Sequence, residues 1–368
     1  MAVTNFAKLN SSQKIVWSRD VWQAARDGMF IKKFLGKGES AMIQRITELT
    51  KTEKGEQVIM QLVADLVEDG VIGDDQREGN EEEMTAYEQI INIDQISHQV
   101  KSKGKMAEQK TVINFREMAK RTLSYWLSNR CDQLAMLTLS GVSYAFQCDG
   151  RPRIGSPFPN LSFAADVSAP SSKRHRSWNG TSLVPGDTTT ITTGYTASYK
   201  MIVDAVAYAK THYIKPLMAG GKEYYVLLVQ PGTLAQLKKD ADYQRAVVAV
   251  ATKDGQKSPW FTGGTVTIDG AIIHEHRLVY STAGAADGSK WGAGGLINGT
   301  RTLLCGAQAL GMADLGTPEW VEKKFDYDSK PGISIDKMLG FLKPKFYSIY
   351  DRSVEDFGVL AIDHYLGF

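Results

Sequence analysis

Cysteine is scarce in this chain: three among 368 residues, Cys131, Cys148 and Cys305, an odd number with no CxxC spacing. That excludes a disulfide framework and fits a reducing compartment such as bacterial cytoplasm. No apolar run approaches the roughly 18 residues a membrane span requires, so no membrane partner is expected. Residues 1–10 lack the charged-then-apolar profile of a secretory signal. The glycosylation-like triplets at Asn10, Asn160, Asn179 and Asn298 therefore read as chance matches. An excess of one charge is also missing, since 43 basic and 41 acidic residues leave a net charge of +2. A dedicated nucleic-acid binder carries a strong basic excess; this chain can sit beside DNA but is not built to grip it.

Catalytic and cofactor signatures are equally sparse. Gly36-Lys37-Gly38 and the glycines at 292–295 do not match GxxxxGK followed by Ser or Thr, and neither sits between a strand and a helix as phosphate cradling requires. GxSxG and HExxH are absent. Cys131 falls inside a helical pattern, a poor place for a nucleophile. His274 and His276 flank Glu275 and would share one face of a strand, where two imidazoles could hold a transition metal. No third ligand stands at regular spacing, so polar residues facing a neighbour or solvent is the competing reading. No cofactor is expected.

What is present is ordered along the chain. Residues 11–35 form an amphipathic pattern with Trp17, Trp22, Phe30 and Phe34 on the apolar stripe, closed by Gly36 and Gly38. It suits either a helix on its own core or an arm laid on a neighbour. Residues 42–102 hold two strand-like stretches, Ile43 to Ala64 and Ile90 to Val100, around an acidic middle. Residues 65–83 carry nine acidic residues, among them Asp74, Asp75, Glu81, Glu82 and Glu83, against the single base Arg77. Such a segment buries little apolar surface and is expected as an exposed loop. A ribbon of about 20 residues per strand would reach roughly 65 Å, whereas a globule of this size has a radius of gyration near 21 Å, so a partner chain is its natural support. The clearest helix spans 111–140, with Phe115, Ala119, Leu123, Leu127, Leu134 and Leu137 on its stripe. Residues 149–195 are rich in Pro, Ser, Thr and Gly and read as an extended loop or insertion with short strands near 188–193. The basic run 173–176 there reads as a solvated loop or as a contact to DNA or an acidic neighbour. Residues 196–318 alternate helix and strand patterns, and 319–364 are strand-rich.

Taken together, this order resembles the Hong Kong 97-type phage capsid fold, and more specifically the major capsid proteins of phages related to the N-four type. The resemblance rests on residues 22–36 (WQAARDGMFIKKFLG), 87–103, 258–279 (SPWFTGGTVTIDGAIIHEHRLV), 324–334 and 356–362 (DFGVLAI). It implies an α+β fold with an N-terminal arm (1–41), an extended hairpin or E-loop with flanking strands (42–104), a P-domain with its spine helix (105–148), an A-domain (196–318) and returning P-domain strands (319–368). The segment 149–195 departs from that pattern. The implied function is a coat protein that self-assembles as hexamers and pentamers around double-stranded DNA, with a separate scaffolding protein, a portal and a decoration protein as partners. It would be assembled in the bacterial cytoplasm and reside in the virion. Trp17, Trp22, Phe30, Phe34 and the loop residues Asp74, Asp75, Arg77, Glu81, Glu82 and Glu83 are the expected inter-subunit contacts. The competing readings are a cargo compartment on the same fold and a metal-dependent enzyme using His274 and His276.

Overall fold

The computed structural model describes residues 28–47, 55, 57–63, 69–73, 76–79, 81, 86–106, 110, 115–251, 266–348 and 350–367. Its spine is helix α1, Phe115–Ser140, about 39 Å long at 1.5 Å per residue. Ala119, Leu123, Leu127, Leu134 and Leu137 are buried as the stripe demands, and from Leu134 to Ser140 every side chain is buried. The helix therefore runs from a half-covered start to a fully enclosed end. It stops at Gly141, whose φ of +65° is open to glycine without a Cβ penalty. There the N–H groups of Gly141 and Val142 turn back to the carbonyls of Thr138 and Leu137.

Two sheets pack on α1. The larger has eight strands, in the order Val266–Ile268, Ala271–Glu275, Lys222–Val229, Gly299–Cys305, Val359–Tyr365, His175–Trp178 and Leu183–Pro185, with Leu217–Ala219 pairing Lys222–Val229. Its side chains alternate between two cores, as a pleated strand dictates. Val226, Leu228, Leu303 and Ala361 join α1 in one cluster. Leu227, Val229, Leu304 and Leu360 join a second, with helices α2 (Tyr199–Thr211), α3 (Pro231–Lys239) and α4 (Ala241–Ala251). Covered on both faces, the central strands are apolar almost without interruption.

The smaller sheet is built around the 13-residue strand Lys330–Leu342. Asp94–Lys101 pairs along one side of it; Glu319–Phe325 and Leu310–Asp314 share the other. Leu310–Asp314 then pairs in parallel with Ile43–Ile46, and that strand with Leu35–Gly36.

Sheet membership crosses the boundaries expected from sequence. Gly299–Cys305 and Leu310–Asp314 are close neighbours in the chain but sit in different sheets, and Val359–Tyr365 lies at the middle of the larger sheet. The segment 149–195 is not an extended loop. It contributes His175–Trp178 and Leu183–Pro185 to the larger sheet, and residues 188–190 form a 3-10 turn, not a strand. Its few large apolar residues do the work: Phe163 packs edge-on to Tyr144 and Phe341, and Trp178 is enclosed with its indole N–H donating to the Thr196 carbonyl at 3.0 Å.

The supposed long ribbon is shorter than the sequence suggests. Its paired strands are Gln57–Val63 and Ala86–Asn92, seven residues each, or about 23 Å of regular structure. The flanking apolar stretches, Ile43–Ile46 and Asp94–Lys101, belong to the smaller sheet. The apolar pattern is continuous across both because the hairpin grows directly out of that sheet.

Candidate assembly surfaces

The N-terminal segment enters the described structure at Gly28 and is clamped at once. The Phe30 and Ile31 N–H groups donate to the two carboxylate oxygens of Asp132, on α1, at 2.9 and 3.1 Å. Met29 and Ile31 are buried beside them, and a 3-10 turn, Ile31–Phe34, follows. Burial pushes the Asp132 carboxyl up to about 6, against the pull of those two N–H groups. Phe30 stacks on His276 with ring centroids 4.1 Å apart and planes at 16°, and Phe34 meets His274 edge-on at 5.0 Å. Burial, with Arg277 and Lys33 nearby, lowers His276 to about 4, so its ring is neutral and behaves as an aromatic surface. His274 and His276 thus face neither solvent nor a neighbour: they are the platform on which the arm rests. Among the described residues no group of three metal-ligating side chains includes them. Phe30 and Phe34, expected at an inter-subunit contact, are seated on their own chain; Trp17 and Trp22 lie outside the described residues.

The hairpin has two unlike faces. Val58, Met60 and Ile91 point inward onto Ile46, Ala313 and Leu342. The Gln89 side chain bridges the backbone of Lys345, and the Asn92 amide donates to Asp166 at 2.9 Å. The approach is close enough that a Cβ on Gly340 would lie 2.2 Å from the Asn92 carbonyl oxygen. The outer face carries three cross-strand rungs. Gln57 meets Asn92, Ile59 stands opposite Ile90, and Gln61 meets Glu88. Ile59 and Ile90 are each 49% exposed. Of the acidic loop beyond, Arg77 and Glu81 are exposed and Ile72 is 84% exposed; Asp74, Asp75, Glu82 and Glu83 lie outside the described residues.

Buried ion pairs inside the body were not foreseen. Arg301 holds Asp363 through two hydrogen bonds of 2.7 and 2.8 Å and donates a third to the Ser140 carbonyl at the end of α1. His175 Nε2 completes the group 2.6 Å from Asp363. Burial alone would raise Asp363, but the guanidinium overrides it and holds the carboxyl down at about 2. A similar group, Arg174–Asp351–His212 at 2.9 and 2.6 Å, explains the basic run 173–176. Arg174 is buried, and Arg176 lies over the Tyr208 ring at 4.5 Å. Half the run is therefore structural. The one signal in the sequence was a charge inside an apolar strand, Arg301 in GTRTLLC and Asp363 in VLAIDHY. Their partners stand up to 188 residues away and leave no local trace.

Residues 5–367 match the family model described as phage capsid protein. The chain belongs to that phage capsid family. It is 51% identical over 364 residues to the major capsid protein of Pseudomonas phage KPP25, covering 98% of this chain and 96% of that one. The structure resembles the capsid of Ralstonia phage GP4 with a TM-score of 0.77 and 25% identity over 92% of each chain. It also resembles the capsid of cyanophage Pam1 with a TM-score of 0.70 at 19% identity, covering 100% of this chain and 96% of that one. The fold is the α+β Hong Kong 97-type capsid fold. As a major capsid protein the chain self-associates into the icosahedral shell of a phage virion. Its functional sites are therefore contact surfaces, and the arm and hairpin are where the capsid chain leaves its own core.

Proposed function

We propose that this capsid subunit assembles as hexamers and pentamers in which the N-terminal arm (1–41) and the hairpin region (42–104) overlap adjacent copies, while the parts read as P-domain and A-domain form the shell floor. The observation that carries this reading is the outer rung of the hairpin, where Ile59 and Ile90 stand opposite each other and half-exposed although the inner face is fully seated. Paired isoleucines on an outward strand gain by burial against another chain. Trp17 and Trp22 on the arm and the acidic residues of the loop supply the remaining contacts. Each contact is modest, but several surround every subunit, so avidity makes the shell stable.

The role is structural, without a catalytic centre. A separate scaffolding protein, a portal, a decoration protein and non-specifically held double-stranded DNA complete the set of partners, and assembly takes place in the bacterial cytoplasm. The test is sedimentation and electron microscopy of the purified protein and of a variant lacking residues 65–83. The intact chain is expected to give large closed shells. The deletion is expected to leave a folded subunit, by circular dichroism, that forms no stable shell. Normal shells from the deletion would remove the loop from the assembly mechanism.

A further inference from the structure

The far end of the smaller sheet carries a concentration of lysine with no match elsewhere in its own surroundings. Lys101, Gly332 and Lys323 lie on one rung across three strands. The Phe325 ring covers Gly332 so closely that a Cβ there would sit 2.8 Å from it. On that ring rest the Lys101 ammonium, 4.5 Å from the centroid, and the Lys323 ammonium, at 5.3 Å. Lys103 and Lys105 flank Gly104, which packs against Ser329 and Lys330. Lys330 and Lys324 are partly balanced by Asp326 at 2.7 Å and Asp328 at 3.6 Å. Among the described residues, Lys101, Lys103, Lys105 and Lys323 have no carboxylate within 4.0 Å. Between the strands, Asp326, Tyr327 and Asp328 all take positive φ, 55°, 49° and 65°. Three consecutive non-glycine residues in this region are costly, and the turn they make leaves Tyr327 wholly exposed.

We infer that this lysine tip is the seat for the acidic loop, residues 65–83, of a second copy of the chain. The inference rests on the reading of that loop as a contact with a neighbour and names the surface it meets. Charge complementarity is the first argument: nine acidic residues and one basic in the loop face the one region where lysines crowd beyond their local carboxylates. The second is that the described acids Asp69, Glu78 and Glu81 make no ion pair within their own chain among the described residues. The third is geometric. The hairpin roots at Gly340, ten residues along the strand Lys330–Leu342 from the lysine end, a separation of about 33 Å. The loop projects from the hairpin's far end, so a neighbour's tip is the better-placed acceptor. Ile72 and Tyr327, each exposed, give the two charged surfaces an apolar centre. Fields of opposite sign also steer encounter and fix register.

The test uses shells assembled from an equal mixture of unlabelled and nitrogen-15-labelled full-length protein. They are treated with a zero-length carbodiimide coupler and read by mass spectrometry. Amide links from carboxylates of residues 65–83 to Lys101, Lys103, Lys105, Lys323, Lys324 or Lys330, in mixed-isotope pairs, are the expected result. Shells whose loop carboxylates couple only to other lysines, or only within one copy, overturn the inference while leaving the shell function intact. Complete absence of shells would instead defeat the parent reading. A second arm combines Lys101→Glu, Lys103→Glu, Lys105→Glu and Lys323→Glu. Shell yield is expected to fall about tenfold or more and to recover when Glu78, Glu81, Glu82 and Glu83 are changed to Lys in the same chain. No fall, or a fall without recovery, counts against the pairing. Lysines protected from acetylation in DNA-filled heads but not in empty shells would assign the tip to nucleic acid and overturn it.

Discussion

The larger sheet and the hairpin treat their polar and apolar groups in opposite ways. In the larger sheet, Gly299–Cys305 is buried at every position, and its one charge, Arg301, is answered within the chain by Asp363, His175 and the Ser140 carbonyl. In the hairpin, one face is answered by Ile46, Ala313 and Leu342, and the other ends in Ile59 and Ile90 with no described partner. The first region is complete as a monomer. The second is complete only in company. A shell subunit needs both: a body that keeps its shape while neighbours shift, and extensions whose stabilisation is deferred to assembly.

The comparison breaks most visibly at Asp363. Asp363→Ala leaves the Arg301 guanidinium buried and unpaired, and a loss of about 3–5 kcal/mol is expected, measured by denaturant unfolding of the unassembled subunit. A loss below about 1 kcal/mol would mean that the network is open to water and that the body is less closed than it looks. Because Asp363 is held near 2, its contribution is fully present above the ordinary carboxylate value and is lost only as pH falls through about 2.

A smaller effect sharpens the boundary between body and arm. Asp132 is raised to about 6, so its contribution is present below the ordinary carboxylate range and is lost as pH rises through about 6. His276 is lowered to about 4, so its contribution is present above the ordinary histidine value and is lost as pH falls through about 4. Between about 4 and 6 the two slopes oppose each other, each at most about 1.4 kcal/mol per pH unit. Relative to the unchanged chain, Asp132→Asn should lose stability more steeply on acidification through that window. His276→Phe, which keeps the stack on Phe30, should lose it less steeply. Parallel curves for all three proteins would show that neither group feels the docked arm.

The smallest expected effect on the subunit lies at the hairpin. Ile59→Thr with Ile90→Thr should change monomer stability by no more than about 0.5 kcal/mol yet reduce shell yield by sedimentation. A monomer destabilised as much as by Asp363→Ala would erase the distinction between the two regions.

Legibility in the sequence followed the same division. Helix α1 was readable because its stripe and the terminating Gly141 are local facts. The acidic loop was readable from charge alone. The segment 149–195 was misread because its low apolar content hides how well Phe163 and Trp178 are used. His274 and His276 looked like candidate metal ligands because their partners, Phe30 and Phe34, are some 240 residues earlier in the chain.

By itself, then, the sequence settled what period and charge can encode: where the long helix lies, which stretch stays in water, and the capsid-like order of segments. Tertiary structure alone decided how consecutive strands divide between two sheets, which imidazoles serve as aromatic surfaces, and which lysines crowd at one tip. Those outcomes depend on contacts between residues far apart in the chain, and hydrophobic and ionic pairing at that range leaves no periodic mark on either partner.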